Sequence, residues 1–222
     1  MLSDARLVAA KDLRIEMRSK VATNQVLPFA LVVLILFAFA LNQDPPALAA
    51  AAPGLYWVAV LFSALLAVQR SFAIESADAA GEGMRLSGLD PAGIFLGKAA
   101  AVAVQLAVLE VLLAAGMAVL YGARLQDPAM LVASAGAATV GLASAGVLYA
   151  ALAAELSVRE TLLPLLLLPV LAPVLMSAAR AWQDSMSGRP GLGVPWAELL
   201  VVFAVVYVSL GVVVAGPVME VT

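Results

Sequence analysis

Two residue types are missing altogether from this 222-residue sequence: cysteine and histidine. Without cysteine there is no disulfide, no thiolate zinc site and no thiol chemistry. Without histidine the chain lacks the commonest metal ligand, the commonest haem ligand and the commonest general base. Charge is also scarce: Asp, Glu, Lys and Arg make up 12% of the residues, the net charge is −3, and no basic run is present, so nucleic acid is not an expected partner. No paired carboxylates at glycosidase spacing, no G-x-S-x-G and no metal-ligand cluster stand in the sequence, which argues against an enzyme active site in this chain.

What is present is apolar. Hydrophobic residues account for 64% of the chain and the mean hydropathy is +1.05, far outside the range of soluble domains. A helix rising about 1.5 Å per residue needs roughly 20 residues to cross ~30 Å of hydrocarbon. Six apolar segments approach that length: about 26–41, 48–68, 93–121, 130–154, 161–179 and 199–218. The expected fold is an all-α integral membrane protein with six transmembrane helices in one transmembrane domain, 1–222, preceded by an interfacial segment at 1–25. No cleavable signal is evident, because the first apolar run follows a mixed-charge stretch too long for an n-region, so that run reads as a retained span.

The connections carry turn chemistry. Asn42 to Pro46 (NQDPP) and Leu125 to Ala129 (LQDPA) read as tight turns. Nine Lys and Arg residues fall in the N-terminal segment and the even-numbered connections, against three in the odd-numbered ones. The positive-inside rule then places both termini in the cytoplasm. In the N-terminal segment Leu2, Ala9, Leu13 and Met17 share one side and Lys11, Arg14 and Arg18 the other, the pattern of an interfacial helix with its bases toward anionic lipid.

The second connection is the polar exception, ESADAAGEGMRLSGLDPAGIFLGK, Glu75 to Lys98. Its tail imitates a phosphate-binding loop but fails the test: Gly93 and Gly97 are one residue too close, and Ala99 stands where a hydroxyl must hold magnesium. ATP, if used, is bound by another chain. Glu75, Asp78, Glu82 and Arg85 fall on one helical stripe, with Ile74, Ala77, Gly81 and Met84 on the adjacent one. Leu89-Asp90-Pro91 then turns the chain back into the membrane. This predicts a short cytoplasmic helix at the membrane surface. A plain solvated connector is the alternative.

Glu110 is the costliest residue, a carboxyl about 18 Å along the helix from Lys98. With Gln105 it forms a candidate intramembrane polar site. Helix packing at Gly141, Ser144, Ala145 and Gly146 is expected to be close. Pro164, Pro169 and Pro173 should bend the fifth span unless neighbours repair it. In the last connection Trp182 and Trp196 suit interfacial anchors, and Arg180 and Arg189 suit an anionic group.

The run APGLYWVAVLFSALLAVQRSF, Ala52 to Phe72, followed by the acidic segment and the return at LGK, resembles haem exporter protein B (CcmB) of bacterial cytochrome c maturation. The likeness runs along essentially the whole chain. It is most specific from Ala52 to Lys98, where Arg70, Phe72, Glu75, Asp78, Glu82, Pro91 and Lys98 match the family's residue types. Ala79 departs from it, since the family often has glycine there. The resemblance implies an ABC-2-like, non-catalytic permease subunit of the bacterial inner membrane. The implied partners are the ATPase CcmA, which binds ATP, the membrane proteins CcmC and CcmD, and the haem chaperone CcmE. Haem is then the ligand handled, Arg180 and Arg189 could meet its propionates, and no cofactor is expected to reside in this chain. Glu75, Asp78, Glu82, Met84, Arg85 and Leu86 become the candidate ATPase-coupling helix, and six spans per copy suggest a homodimer. A non-transporting scaffold and an ABC-2 exporter for another small molecule remain the alternatives.

Overall fold

The structure, a computed structural model, describes residues 1–20, 22–41, 44–77, 88–123, 125–153, 159–188 and 191–221. Seven α-helices are formed by them: α1 (Leu2–Ser19), α2 (Leu27–Ala40), α3 (Pro45–Ala77), α4 (Pro91–Tyr121), α5 (Pro128–Leu152), α6 (Arg159–Met186) and α7 (Val194–Val221). A single π-helical turn, Ala22–Val26, leads into α2. Helix is what hydrocarbon demands, because a backbone N–H or C=O left unpaired there costs several kcal/mol.

Five of these helices, α3 to α7, are long and apolar enough to cross a membrane individually. A sixth is counted only if the bent pair Leu2–Ser19 and Asn24–Ala40 is taken as one span. At 14 residues α2 reaches only about 21 Å, short of the hydrocarbon thickness, and it is extended by the π turn before it. The polar α1 meets this element at 53°.

Local chemistry sets the helix starts. Asp90 caps α4 by accepting from the Ala92 N–H at 3.0 Å, with Pro91 at the first helical position. Asp127 does the same for α5 through Met130 N–H at 3.1 Å, ahead of Pro128. Both Asp-Pro pairs thus open helices as their chemistry requires. Three boundaries lie furthest beyond the sequence expectation. Helix α3 continues past 68 to Ala77, α6 past 179 to Met186, and α7 begins at Val194. Helix α6 also runs through Pro164, Pro169 and Pro173 without ending, and Tyr207 of α7 braces that region by donating to the Val170 carbonyl at 3.3 Å.

Helices α3, α4 and α5 form the centre, with α5 against α7 and α6, α4 against α3, α5 and α7, and α2 laid across α3 and α4. Small residues permit the approach. A Cβ added at Gly146 would lie 2.7 Å from Val68 Cγ2, and one at Gly141 would lie 3.8 Å from the Ala204 backbone. Gly141, Ser144, Ala145 and Gly146 are all buried. The core has two parts. One, near the α1 end, gathers Val68, Phe95, Leu106 and Val147; the other, toward the opposite end, gathers Leu34, Trp57, Met117, Leu171 and Trp182. The outer surface is left to exposed apolar side chains such as Phe39, Val111, Val132, Val205 and Val213, a belt that water would penalise and lipid does not.

Helix α1 does not lie free at the periphery; it is seated on α4. Gly93 and Gly97, one turn apart, form its seat. A Cβ at Gly97 would stand 2.6 Å from the Ala5 carbonyl oxygen and 2.7 Å from Val8 Cβ, and one at Gly93 would stand 2.8 Å from the Met1 carbonyl oxygen. The two glycines that imitated a phosphate loop are therefore a G-x-x-x-G seat for a helix. Val8 is buried there, while Leu2, Leu7 and Met17 are exposed. The sequence stripes, with Leu2, Ala9, Leu13 and Met17 on one side of an interfacial helix and the bases on the other, do not mark this seat. We expect Gly97→Leu to unseat α1. With Val8→Cys as the sole cysteine, maleimide labelling should be slow with Gly97 and at least about tenfold faster with Leu at that position; equal labelling would refute the seat.

Candidate functional site

Two polar constellations interrupt the apolar bundle. The first joins α1 to the membrane helices. Asp4, Asp12 and Glu16 point inward: Asp4 accepts from the Asp90 main-chain N–H at 3.3 Å, Asp12 faces Lys98 Nζ at 3.6 Å, and Glu16 faces Arg70 Nε at 3.4 Å. Lys98, nearly fully buried, also lies over the Phe72 ring at 4.9 Å. The Ser3 hydroxyl and the Asp90 N–H hold the Asp4 carboxyl below the usual carboxylate range. Its contribution is present above the ordinary aspartate value and is lost as pH falls through the lowered one. Arg6, Arg14 and Arg18 are exposed on the outer side of α1. Acids in and arginines out is a polarity that the sequence stripes do not reveal, because Glu16 and Asp12 are matched by bases 54 and 86 residues away and Asp4 by a main-chain N–H 86 residues away.

The second constellation is built around Glu110 of α4, 6% exposed. Thr139 of α5 contacts its Oε1 through the hydroxyl at 2.6 Å, and the Tyr56 hydroxyl of α3 donates to its main-chain carbonyl at 3.1 Å. The level follows from the helices. Tyr56 and Thr139 each stand eleven residues after the start of α3 and α5, and Glu110 eleven before the end of α4, so all three lie about 16 Å along the helix from the end opposite α1. Gln105 belongs to another part of α4. At five residues' separation it sits on a different face, and the carboxyl is met by Thr139 instead.

Tyr56 also anchors an aromatic cluster. Its ring stacks on Trp182 at 4.2 Å, and Trp57 meets both edge-on, at 5.4 Å from Tyr56 and 5.6 Å from Trp182. Such pairs contribute about 0.5–1.5 kcal/mol each beyond burial. Trp182 is therefore a core residue of α6 and not the interfacial anchor the sequence suggested, because α6 extends far enough to carry it inside the bundle. Trp196, at the start of α7, is 36% exposed and keeps a position compatible with an interface.

Two cavities adjoin these groups. A cleft of about 450 Å³ between α4 and α5 has Glu110, Thr139, Tyr56 and Trp182 in its wall. A second, of about 590 Å³, lies at the end opposite α1, among Pro45, Pro53, Tyr121, Gln126 and Gln183. Arg180 is exposed near it and donates to Gln183 Oε1 at 3.2 Å. Arg189 lies outside the described residues. So do Asp78, Glu82, Met84, Arg85 and Leu86, while Glu75 falls in the last turns of α3, where only the backbone is described. Among the described residues no group of three or more Asp or Glu is placed to hold a metal ion.

The fold and its polar sites define an all-helical, multi-pass membrane protein. The CcmB protein family matches residues 4–221, and the chain belongs to that family. It is 30% identical over 202 residues to heme exporter protein B of Haemophilus influenzae, covering 91% of this chain and 89% of that one. It is likewise 30% identical over 187 residues to heme exporter protein B of Pseudomonas aeruginosa, with 84% of each chain covered. The Escherichia coli protein of the same name is 36% identical over 87 residues, 39% of this chain and 40% of that one.

The short contact between Thr139 and Glu110 predicts a measurable dependence. Thr139→Val keeps the shape but strips the carboxyl of this partner, at a cost of about 1–3 kcal/mol, seen as a lower melting temperature in detergent. Replacing both partners, Thr139→Val with Glu110→Leu, should recover most of that loss. Additive losses would mean the two groups act separately.

Proposed function

We propose that this chain is the permease-like membrane subunit of an ABC-type complex that handles haem in cytochrome c maturation. The single observation that carries the reading is the CcmB family match along 4–221, supported by relatives named for haem export over most of their length. On this reading ATP is bound and hydrolysed by a CcmA-type partner, with CcmC, CcmD and the chaperone CcmE as further partners. This chain's role is then mechanical and not catalytic.

The orientation follows from the charge bias: both termini and the α3–α4 connection lie in the cytoplasm of a bacterial inner membrane. Reporter fusions within Asp184 to Pro195 should then read as periplasmic; a cytoplasmic reading would reverse the assignment. In that frame the anchored α1 and the acidic stretch after α3 occupy the cytoplasmic end, where a partner ATPase has to engage. Lys98 lies in the seam with α1, so a displacement of that end loads a buried ion pair whose disruption costs on the order of 3–5 kcal/mol.

The coupling element is Glu75 to Leu86, with Glu75, Asp78 and Glu82 meeting a basic groove and Met84, Arg85 and Leu86 completing the contact. The working unit is a C₂ pair of these chains on a two-fold ATPase. A second reading, a scaffold that spends ATP hydrolysis on releasing haem-loaded CcmE without passing haem itself, is favoured by the lack of any histidine to ligate the iron.

One set of measurements tests these together. Each exposed acidic contact is worth about 1 kcal/mol or less, and a tenfold affinity change needs only ~1.4 kcal/mol, so reversing Glu75, Asp78 and Glu82 to Lys should cut ATPase co-purification by roughly tenfold or more. Membrane levels should hold. The mass of the purified wild-type complex reads the stoichiometry, and haem flux into sealed vesicles separates transport from scaffolding. Unchanged co-purification with unchanged cytochrome maturation would remove the coupling role from this segment.

A further inference from the structure

The cleft between α4 and α5 carries an inference independent of the haem reading. Small side chains on both helices create it: Ala107 on one wall and Ala135 and Gly136 on the other leave room that larger residues would fill. Its rim includes Val111 and Val132, 70% and 72% exposed, so the cleft opens sideways on the outer surface of the bundle, at the level of the lipid. Its inner wall is aromatic, the stacked Tyr56 and Trp182. Among the described residues the one carboxyl in that wall is Glu110, more than nine-tenths buried, and no Lys or Arg lines the cleft with it.

Hydrogen-bond accounting shows what this carboxyl lacks. A carboxylate offers about four acceptor positions. Thr139 has a single hydroxyl proton, yet its Oγ1 lies 2.6 Å from Glu110 Oε1 and 2.7 Å from the Ala135 carbonyl, both of them acceptors when Glu110 is ionised. One proton cannot serve both at once. Tyr56 spends its proton on the Glu110 main-chain carbonyl and does not relieve the side chain. Among the described residues an ionised Glu110 is therefore short of donors, in apolar walls, beside a buried aromatic pair whose electron-rich rings suit positive charge.

We infer that the α4–α5 cleft binds a lipophilic organic cation, entering from the lipid, with Glu110 as its counter-ion and Tyr56 and Trp182 as its aromatic wall. An anionic amphiphile does not suit it, because a negative group would meet Glu110 unscreened. The competing arrangement is a protonated Glu110 that donates to Thr139 and requires no ligand.

The test uses the full chain in nanodiscs of neutral phosphatidylcholine, with tetraphenylphosphonium as probe and tryptophan fluorescence and equilibrium dialysis as readouts. Empty nanodiscs measure partition into lipid. Saturable binding is expected for the wild type, at least about tenfold weaker in Glu110→Gln, which keeps the shape and loses the charge. Tetraphenylborate, the same size with opposite charge, should not compete. Gly136→Phe supplies a second variant, since a Cβ there meets nothing within 4 Å and the ring would fill the cleft from its wall; it too should abolish saturable binding. Binding no greater than that of empty nanodiscs, equal binding in Glu110→Gln, equal binding in Gly136→Phe, or competition by tetraphenylborate would each overturn the inference.

Discussion

Polar groups inside a hydrocarbon slab have no water to turn to, and this constraint organises the whole molecule. It makes the chain helical, and it also directs the hydroxyls. Ser63, Ser134, Ser177 and Ser185 each donate to the carbonyl four residues back, and Tyr121 crosses to the Leu34 carbonyl at 2.7 Å. The same constraint turns the acids of α1 inward to Lys98, Arg70 and the Asp90 N–H. Among the described residues, Glu110 is the carboxyl buried within the spans, and its side chain is met there by the Thr139 hydroxyl.

Close packing supplies what the hydrophobic effect cannot, since lipid tails are as apolar as the helix faces they would displace. Glycine and alanine let backbones approach at Gly146 against Val68 and at Gly97 against Val8, and the Phe95 ring occupies the place a Cβ of Gly211 would take. The aromatic trio of Tyr56, Trp57 and Trp182 then fixes α3 against α6. In such a bundle small residues are seats for neighbours, and their loss is a steric problem more than a loss of contact area.

Much of the architecture is legible in the sequence because hydrophobic length and Asp-Pro starts are local properties. The apolar runs at 93–121 and 130–154 fall within two residues of α4 and α5. Ends without such punctuation were harder to read: α6 carries polar Arg180, Gln183 and Asp184 inside its last turns, so hydropathy stopped short of Met186 and left Trp182 outside the membrane. Glu110 stood out by its cost alone, whereas Thr139, a hydroxyl in a run of small residues, gave no local sign of being its partner. Hydrophobicity gives α1 an apolar side but does not mark the side that meets α4, because that seat is made of glycine and charge. The G-x-x-x-G spacing of Gly93 and Gly97 was the available clue.

Helix α3 joins the two ends of the molecule. Its 33 residues extend about 50 Å, and the one internal proline, Pro53, falls before Tyr56 and not after it. The uninterrupted part of the helix therefore contains both the aromatic ring at the α4–α5 cleft and, at Ala77, the start of the acidic connection. On the proposed coupling role, one continuous helix thus connects the segment that would meet the ATPase to the Tyr56 ring in the wall of the cleft, with no loop in between.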